Sequence, residues 1–231
     1  MDEILSFLVD QAEQSNLAEQ SNLAEQSDRA NREIYAEFLA LLLEQVQVQM
    51  KGMDLMGSVE TKKLGKETLD FAEVEVLAFQ LSLQLQALEA RAKTLLFWQP
   101  SDLLVIQWPN STVKLYLLAN LTQLVPLAEK APSQLVLVYP AVYPLPSESC
   151  APELLKITSL PFLTHRSASY YSLALLCLRL LGHKCAPATL GHKCAPATLD
   201  LDLATLTGTK LFYFLERCLY TDPKERMCLY L

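Results

Sequence analysis

The first 99 residues contain no proline, and nine of the twelve prolines fall between Pro100 and Pro161. Proline removes a backbone donor and clashes with the preceding turn, so its absence leaves the front of the chain free to be helical. Its concentration in the middle points to strands and turns there. Basic charge is also short: 19 Lys and Arg stand against 26 Asp and Glu, a net charge of −7. Nucleic-acid binding needs a basic footprint and is not expected, whereas a basic protein or peptide partner remains open. Glycine is scarce and scattered, six in all, with neither GxGxxG nor GxxxxGKS/T, so no phosphate-cradling loop is present. The most apolar stretch, Tyr170–Leu181, is interrupted only by Ser172 and Arg179. It falls short of the roughly 20 residues that cross a bilayer, and no membrane partner is expected. The start, Met1-Asp2-Glu3-Ile4-Leu5, is acidic where a leader would be basic, so a cytoplasmic protein is the expectation. The six cysteines read as reduced, packed thiols rather than a disulfide framework.

What is present is mostly helical pattern. Residues 12–30 carry the hexapeptide Ala-Glu-Gln-Ser-Asn-Leu twice and then in part. The composition favours helix, but a period of six is no coiled-coil seam. Ile34, Phe38, Leu41, Leu42 and Val46 recur at helical spacing over 31–49. Residues 51–66 read as a linker or a weak pair of strands. Over 70–92, Leu81–Gln86 alternates as a strand would, yet Val74, Leu77, Leu81, Leu85 and Leu88 share one helical face, and length decides for helix. Leu103–Ile106 and Val113–Leu117 flank Trp108-Pro109-Asn110-Ser111 as a hairpin would. Gln134–Tyr143 reads as a further extended run. Tyr170–Leu181 is hydrophobic all round and belongs inside a core. Leu181–Thr198 is a perfect nine-residue duplication with Gly and Pro in each copy, expected as an exposed loop. A last helix is expected over Leu211–Tyr220.

Few residues offer chemistry. His183, Cys185, His192 and Cys194 are zinc-ligand types, but His-x-Cys spacing suits a tetrahedral site poorly and the duplication explains the regularity without metal. His165 has no evident nucleophile partner motif. No cofactor is expected.

From about Leu69 onward the order of motifs resembles the C-terminal lobe of a protein kinase. Residues 73–92 resemble the long helix before the catalytic loop, and Gln99–Ile106 with Val113–Tyr116 resemble the loop's end and the next strands. Ala151-Pro152-Glu153 matches the Ala-Pro-Glu motif, and Tyr171-Ser172-Leu173-Ala174 resembles the start of the buried central helix. Glu216–Leu219, Asp222-Pro223 and Arg226 resemble the arginine-bearing turn near the lobe's end. The departures fall on the chemistry. Leu95-Leu96-Phe97 stands where the resemblance puts His-Arg-Asp, and Leu117-Leu118-Ala119 where it puts Asp-Phe-Gly. Gln99 and Asp102 replace the loop's lysine and its metal-binding asparagine. Leucine and phenylalanine neither accept the substrate proton nor hold Mg²⁺. The glycine loop and the Val-Ala-Ile-Lys strand are missing. A lobe without its catalytic half is similar to the kinase non-catalytic C-lobe domain (KIND), a pseudokinase-like interaction module whose acidic groove receives a basic peptide.

The expected fold is therefore mainly α with a small β hairpin, kinase C-lobe-like and without a recognisable N-lobe. A helical extension would span 1–60 and the lobe 61–231. The expected function is non-catalytic binding of a protein or peptide, in a scaffold or adaptor role, without ATP and without enzyme activity. The alternative is a structural subunit of a large assembly, anchored by the extension. The resemblance implies that Glu153 and Arg226 form a buried ion pair. Ile34, Phe38, Leu41, Leu42 and Val46 form a helix that either docks a partner or caps the lobe.

Overall fold

The computed structural model describes residues 9–10, 25–46, 59–65, 68–108, 111–127, 134–137, 145–146, 148–159, 161–183 and 204–229. In chain order the elements are α1 (Glu25–Val46), β1 (Glu60–Lys63), α2 (Phe71–Ala90), β2 (Lys93–Thr94), β3 (Leu103–Gln107), β4 (Lys114–Leu118), β5 (Val125–Pro126), β6 (Gln134–Leu137), β7 (Phe162–His165), α3 (Ala168–Leu180) and α4 (Lys210–Cys218). They fall in two units, Met1–Gly65 with Pro100–Thr122, and Lys66–Gln99 with Gln123–Leu231.

In the first unit, β3 is the middle strand of three. It pairs antiparallel with β4 from Leu103↔Leu118 to Gln107↔Lys114, and with β1 from Glu60↔Gln107 to Lys63↔Leu104. Leu103, Leu104, Val105 and Ile106 are all buried, so both faces of β3 are covered, as continuous apolar runs require. β1 has the opposite character. Its exposed Glu60, Lys62 and Lys63 make a charged edge that discourages further strand pairing. After β4 the chain folds back on the turn before β3: Asp102 O accepts the amides of Ala119 and Asn120, and its carboxylate accepts Asn120 Nδ2 at 2.9 Å. α1 packs against β4, and the Tyr35 hydroxyl donates to Ala119 O.

The second unit is built on two helices. Asp70 caps α2 by accepting the Glu73 amide at 2.8 Å, while the Glu73 carboxylate accepts the Asp70 amide at 3.1 Å. This reciprocal box fixes where the helix begins. Arg91 and Ala92 end it, with Ala92 in the left-handed region at φ 54°. β2 follows at once and pairs antiparallel with β5. α3 packs against both α2 and α4. It ends in a Schellman turn in which Gly182 takes φ +85° and the His183 and Gly182 amides donate to Leu178 O and Arg179 O. β6 pairs antiparallel with β7, from Gln134↔His165 to Leu137↔Phe162. Thr209 caps α4 by accepting the Phe212 amide at 3.1 Å.

The expectation of a mainly α, lone C-lobe fold with one small hairpin is corrected. The described residues carry seven strands in three antiparallel sheets. The hairpin exists as β3–β4, but β1 joins it, and β2–β5 and β6–β7 stand apart from it. Of these, β1 falls within 51–66, read as a linker or a weak pair of strands, and β6 opens the extended run expected from Gln134, whereas β2 and β5, with two residues each, and β7 carry no pattern of their own. Residues 12–24, 138–143 and 184–198, which hold most of both repeats and the end of the third extended run, lie outside the described residues.

Candidate functional site

Among the described residues of the second unit, a dense polar constellation gathers around Arg226. Asp222 prepares its position: the Asp222 carboxylate accepts the Lys224 amide at 2.9 Å and Asp222 O accepts the Glu225 amide, turning the chain back after α4. The Arg226 side chain is fully buried, and the Glu153 side chain keeps 21 % exposure. Nη1 donates to Glu153 Oε1 at 2.6 Å and Nη2 to Oε2 at 2.9 Å, a two-pronged grip between residues 73 apart. Nε donates to Tyr220 O at 2.7 Å and Nη2 to Thr221 O at 3.3 Å. The guanidinium also lies 4.8 Å from the centre of the Tyr171 ring. One side chain thus clasps the Ala151-Pro152-Glu153 turn, the first turn of α3 and the turn after α4. Burying a guanidinium is costly, and this number of acceptors is what makes it tolerable.

Ser167 and His165 flank the clasp. His165 Nδ1 lies 2.7 Å from Ser167 Oγ, and Ser167 Oγ donates to Pro223 O at 2.5 Å. This is not an activated nucleophile, because Ser167 is fully buried and its proton is committed to a carbonyl. Burial, then Arg166 and Arg226, hold the His165 pKa below its ordinary value. The thiols are equally unsuited to chemistry. Burial, with Glu153 adding to it, pushes Cys150 up to about 12, and burial raises Cys177 and Cys218 as well. All three stay protonated and poor nucleophiles.

Two further polar contacts brace the helices. The Tyr170 hydroxyl donates to Glu89 Oε1 at 2.7 Å, and Arg166 Nη1 approaches Oε2 at 3.2 Å. Desolvation nevertheless raises the Glu89 pKa against both partners. Arg179 donates to Glu148 O at 2.6 Å and to Ser149 Oγ at 3.2 Å, which anchors the segment before Cys150.

Most positions that the kinase resemblance assigns to catalysis are core. Leu95 and Leu96 are 1 % exposed, Phe97 is buried, and the Trp98 amide donates to Ser172 Oγ at 2.7 Å. Leu117, Leu118 and Ala119 are buried in the first unit. Gln99 is half-buried, and the Asp102 carboxylate binds Asn120. Among the described residues no three His, Cys, Asp or Glu side chains come together as a metal site. His183 is described, whereas Cys185, His192 and Cys194 are not.

The α1 residues singled out in the sequence divide. Ile34, Phe38 and Leu42 are buried, Leu41 is half-buried, and the side chain of Val46 lies outside the described residues. Tyr35, Leu39 and Leu43 were missed and are buried too. They repeat at the same four-residue spacing one position on, and that signal was available. Tyr171, the Ser167 carbonyl, which Arg226 Nη1 reaches at 3.5 Å, and the Tyr220 carbonyl were also missed, and no spacing in the sequence marks them as partners of Arg226.

No protein-family model, curated protein or solved structure matches this chain. Among the described residues no helix is long and apolar enough to cross a membrane.

Proposed function

We propose that this chain is a non-catalytic protein-interaction module, a pseudokinase-like scaffold or adaptor that from about Leu69 onward is similar to the KIND type of kinase C-lobe. The observation that carries the reading is a contrast. The Glu153–Arg226 clasp, which the resemblance assigns to architecture, is fully made. Of the positions it assigns to chemistry, Leu95, Leu96, Phe97, Leu117, Leu118 and Ala119 are packed as core, and the Asp102 carboxylate, at the metal-binding asparagine position, is bound by Asn120. A side chain with no proton to exchange and no lone pair for Mg²⁺ contributes packing and nothing else. Binding is the function that such a lobe still supports. The acidic balance of −7 favours a basic partner, through steering and charge complementarity. A cytoplasmic location accords with Cys150, Cys177, Cys218 and Cys228 being free thiols.

The test is saturable capture. The full chain is immobilised and cytosolic extract is passed over it, with and without millimolar Mg-ATP. The expected result is a partner retained at a fixed ratio, competed by soluble chain and indifferent to Mg-ATP. No retention above a blank surface, or ADP formed by the purified chain, would overturn the reading.

A further inference from the structure

Cys218 is the last residue of α4, and Cys228 follows ten residues later, beyond the turn that carries Arg226. The chain returns so that the two ends of this stretch meet. The Met227 amide donates to Arg217 O at 3.4 Å, and the Cys218 thiol donates to Met227 O at 3.4 Å. Met227 O belongs to the peptide bond that leads into Cys228, so the Cys218 sulfur rests against the Cys228 backbone. The two thiols are themselves hydrogen-bond partners, and burial together with that contact raises the Cys218 pKa. Access differs between them. Cys218 is 0 % exposed, whereas Cys228 is 8 % exposed and lies between Met227 and Leu229, each 46 % exposed. The hydrogen bonds that hold this segment are long: besides those of Met227, Gln86 Nε2 donates to Cys228 O at 3.4 Å. Cys228 is thus the thiol that a reagent from solvent meets first.

We propose that Cys218 and Cys228 form a reversible disulfide, a redox switch on the turn that lies between them. The oxidant is a low-molecular-weight disulfide such as glutathione disulfide. Cys228 loses its proton, its thiolate attacks one sulfur of the oxidant, and the other sulfur leaves as a thiol. The Cys218 thiolate then attacks the Cys228 sulfur, the protein disulfide forms, and the second small thiol leaves. Two thiol protons and two electrons pass from the protein to the oxidant. The second step draws on a buried, protonated thiol and is slow, but its target is already in contact. The ring so closed contains Tyr220, Thr221 and Arg226, which are the Arg226 side chain and two of its carbonyl acceptors. Oxidation therefore fixes the turn that holds Arg226 on Glu153, and reduction frees Met227–Leu229 to lift from α4.

The full chain is incubated for hours with glutathione disulfide, its remaining thiols are alkylated, and it is digested with trypsin without reductant. Trypsin cuts after Arg217, Lys224 and Arg226, which leaves the two cysteines on separate peptides, 218–224 and 227–231, unless a disulfide joins them. The expected product is that linked pair, from protein that runs as a monomer on a non-reducing gel, and dithiothreitol should abolish it. The denaturation midpoint of the oxidised chain should rise, because the ring restricts the unfolded chain, and dithiothreitol should return it to the starting value. Cys228→Ser treated alike should show neither change, which separates this bond from any formed at the other cysteines. Peptide mapping needs only the parent chain, so a variant that fails to fold does not end the test. Recovery of Cys218 and Cys228 as alkylated thiols or as glutathione adducts would overturn the proposal. Either cysteine joined to Cys177, or to a second copy of the chain, would overturn it as well. A linked pair with an unchanged midpoint would leave the bond without a switch and equally overturn it.

Discussion

Arg226 shows how unequal the two halves of an ion pair can be. Its side chain has no access to water, whereas Glu153 keeps some. Glu153→Ala therefore leaves a buried guanidinium with only carbonyl acceptors and a ring face, and should cost about 3–5 kcal/mol. Arg226→Ala should also destabilise strongly, since Tyr220 O loses its donor and Tyr171 loses its cation. The double variant should cost much less than the two together, and chemical denaturation of all four proteins measures the difference. Equal melting of both single variants and the parent would mean that the clasp holds nothing. His165 beside it gives a pH signature. Its folded-state pKa lies below the ordinary value of about 6.5, so the stability it contributes is present above that value and lost as pH falls through the folded pKa. Glu89 acts in the opposite sense. Its raised pKa contributes stability that is full at acid pH and is lost as pH rises through the folded value. Replacing His165 with Gln should remove the first dependence only. Between about pH 7.5 and 5 the parent should then lose more melting temperature than the variant, and parallel curves would show that His165 is not held neutral by the fold.

At the scale of elements, the sequence was readable where one segment decides its own structure. α2 announces itself by its length and its inward stripe, α3 by being apolar all round, and both appear within two residues of the expected bounds at their starts. The β3–β4 hairpin was likewise written in two apolar runs and a turn. What could not be read is pairing between segments that carry no pattern of their own, as with β1, which contributes four polar residues to an apolar sheet. α1 lay between these cases. Its helical period was plain, but whether the stripe met its own unit or a partner depended on β4, and the structure packs α1 against that strand with Phe38 and Leu42 at 0 % exposure. Leu42→Ala should accordingly cost about 2–5 kcal/mol in the first unit, the range for a buried leucine whose site cannot fully collapse. An unchanged denaturation midpoint would mean that the stripe is not packed.

At the scale of the molecule, the clasp was legible only through a resemblance. Nothing in composition or periodicity brings residue 153 to residue 226, because neither helix nor strand geometry reaches across such a separation. The sequence divides the chain after residue 60, but that Pro100–Thr122 joins Met1–Gly65 was not legible, since it does so through strand pairing that the polar β1 does not advertise. The polar side chains of the second unit serve chiefly to hold its helices and turns together. Tyr170 with Glu89, Arg179 with Glu148 and Ser149, and Arg226 with Glu153 all work this way. The proposed non-catalytic function is tested most directly by melting the full chain in millimolar Mg-ATP. A ligand present at 100 times its dissociation constant would stabilise the fold by about 2.7 kcal/mol, which is readily seen as a shift in midpoint. The non-catalytic reading predicts superimposable curves with and without Mg-ATP. A clear upward shift that depends on Mg-ATP concentration would contradict it.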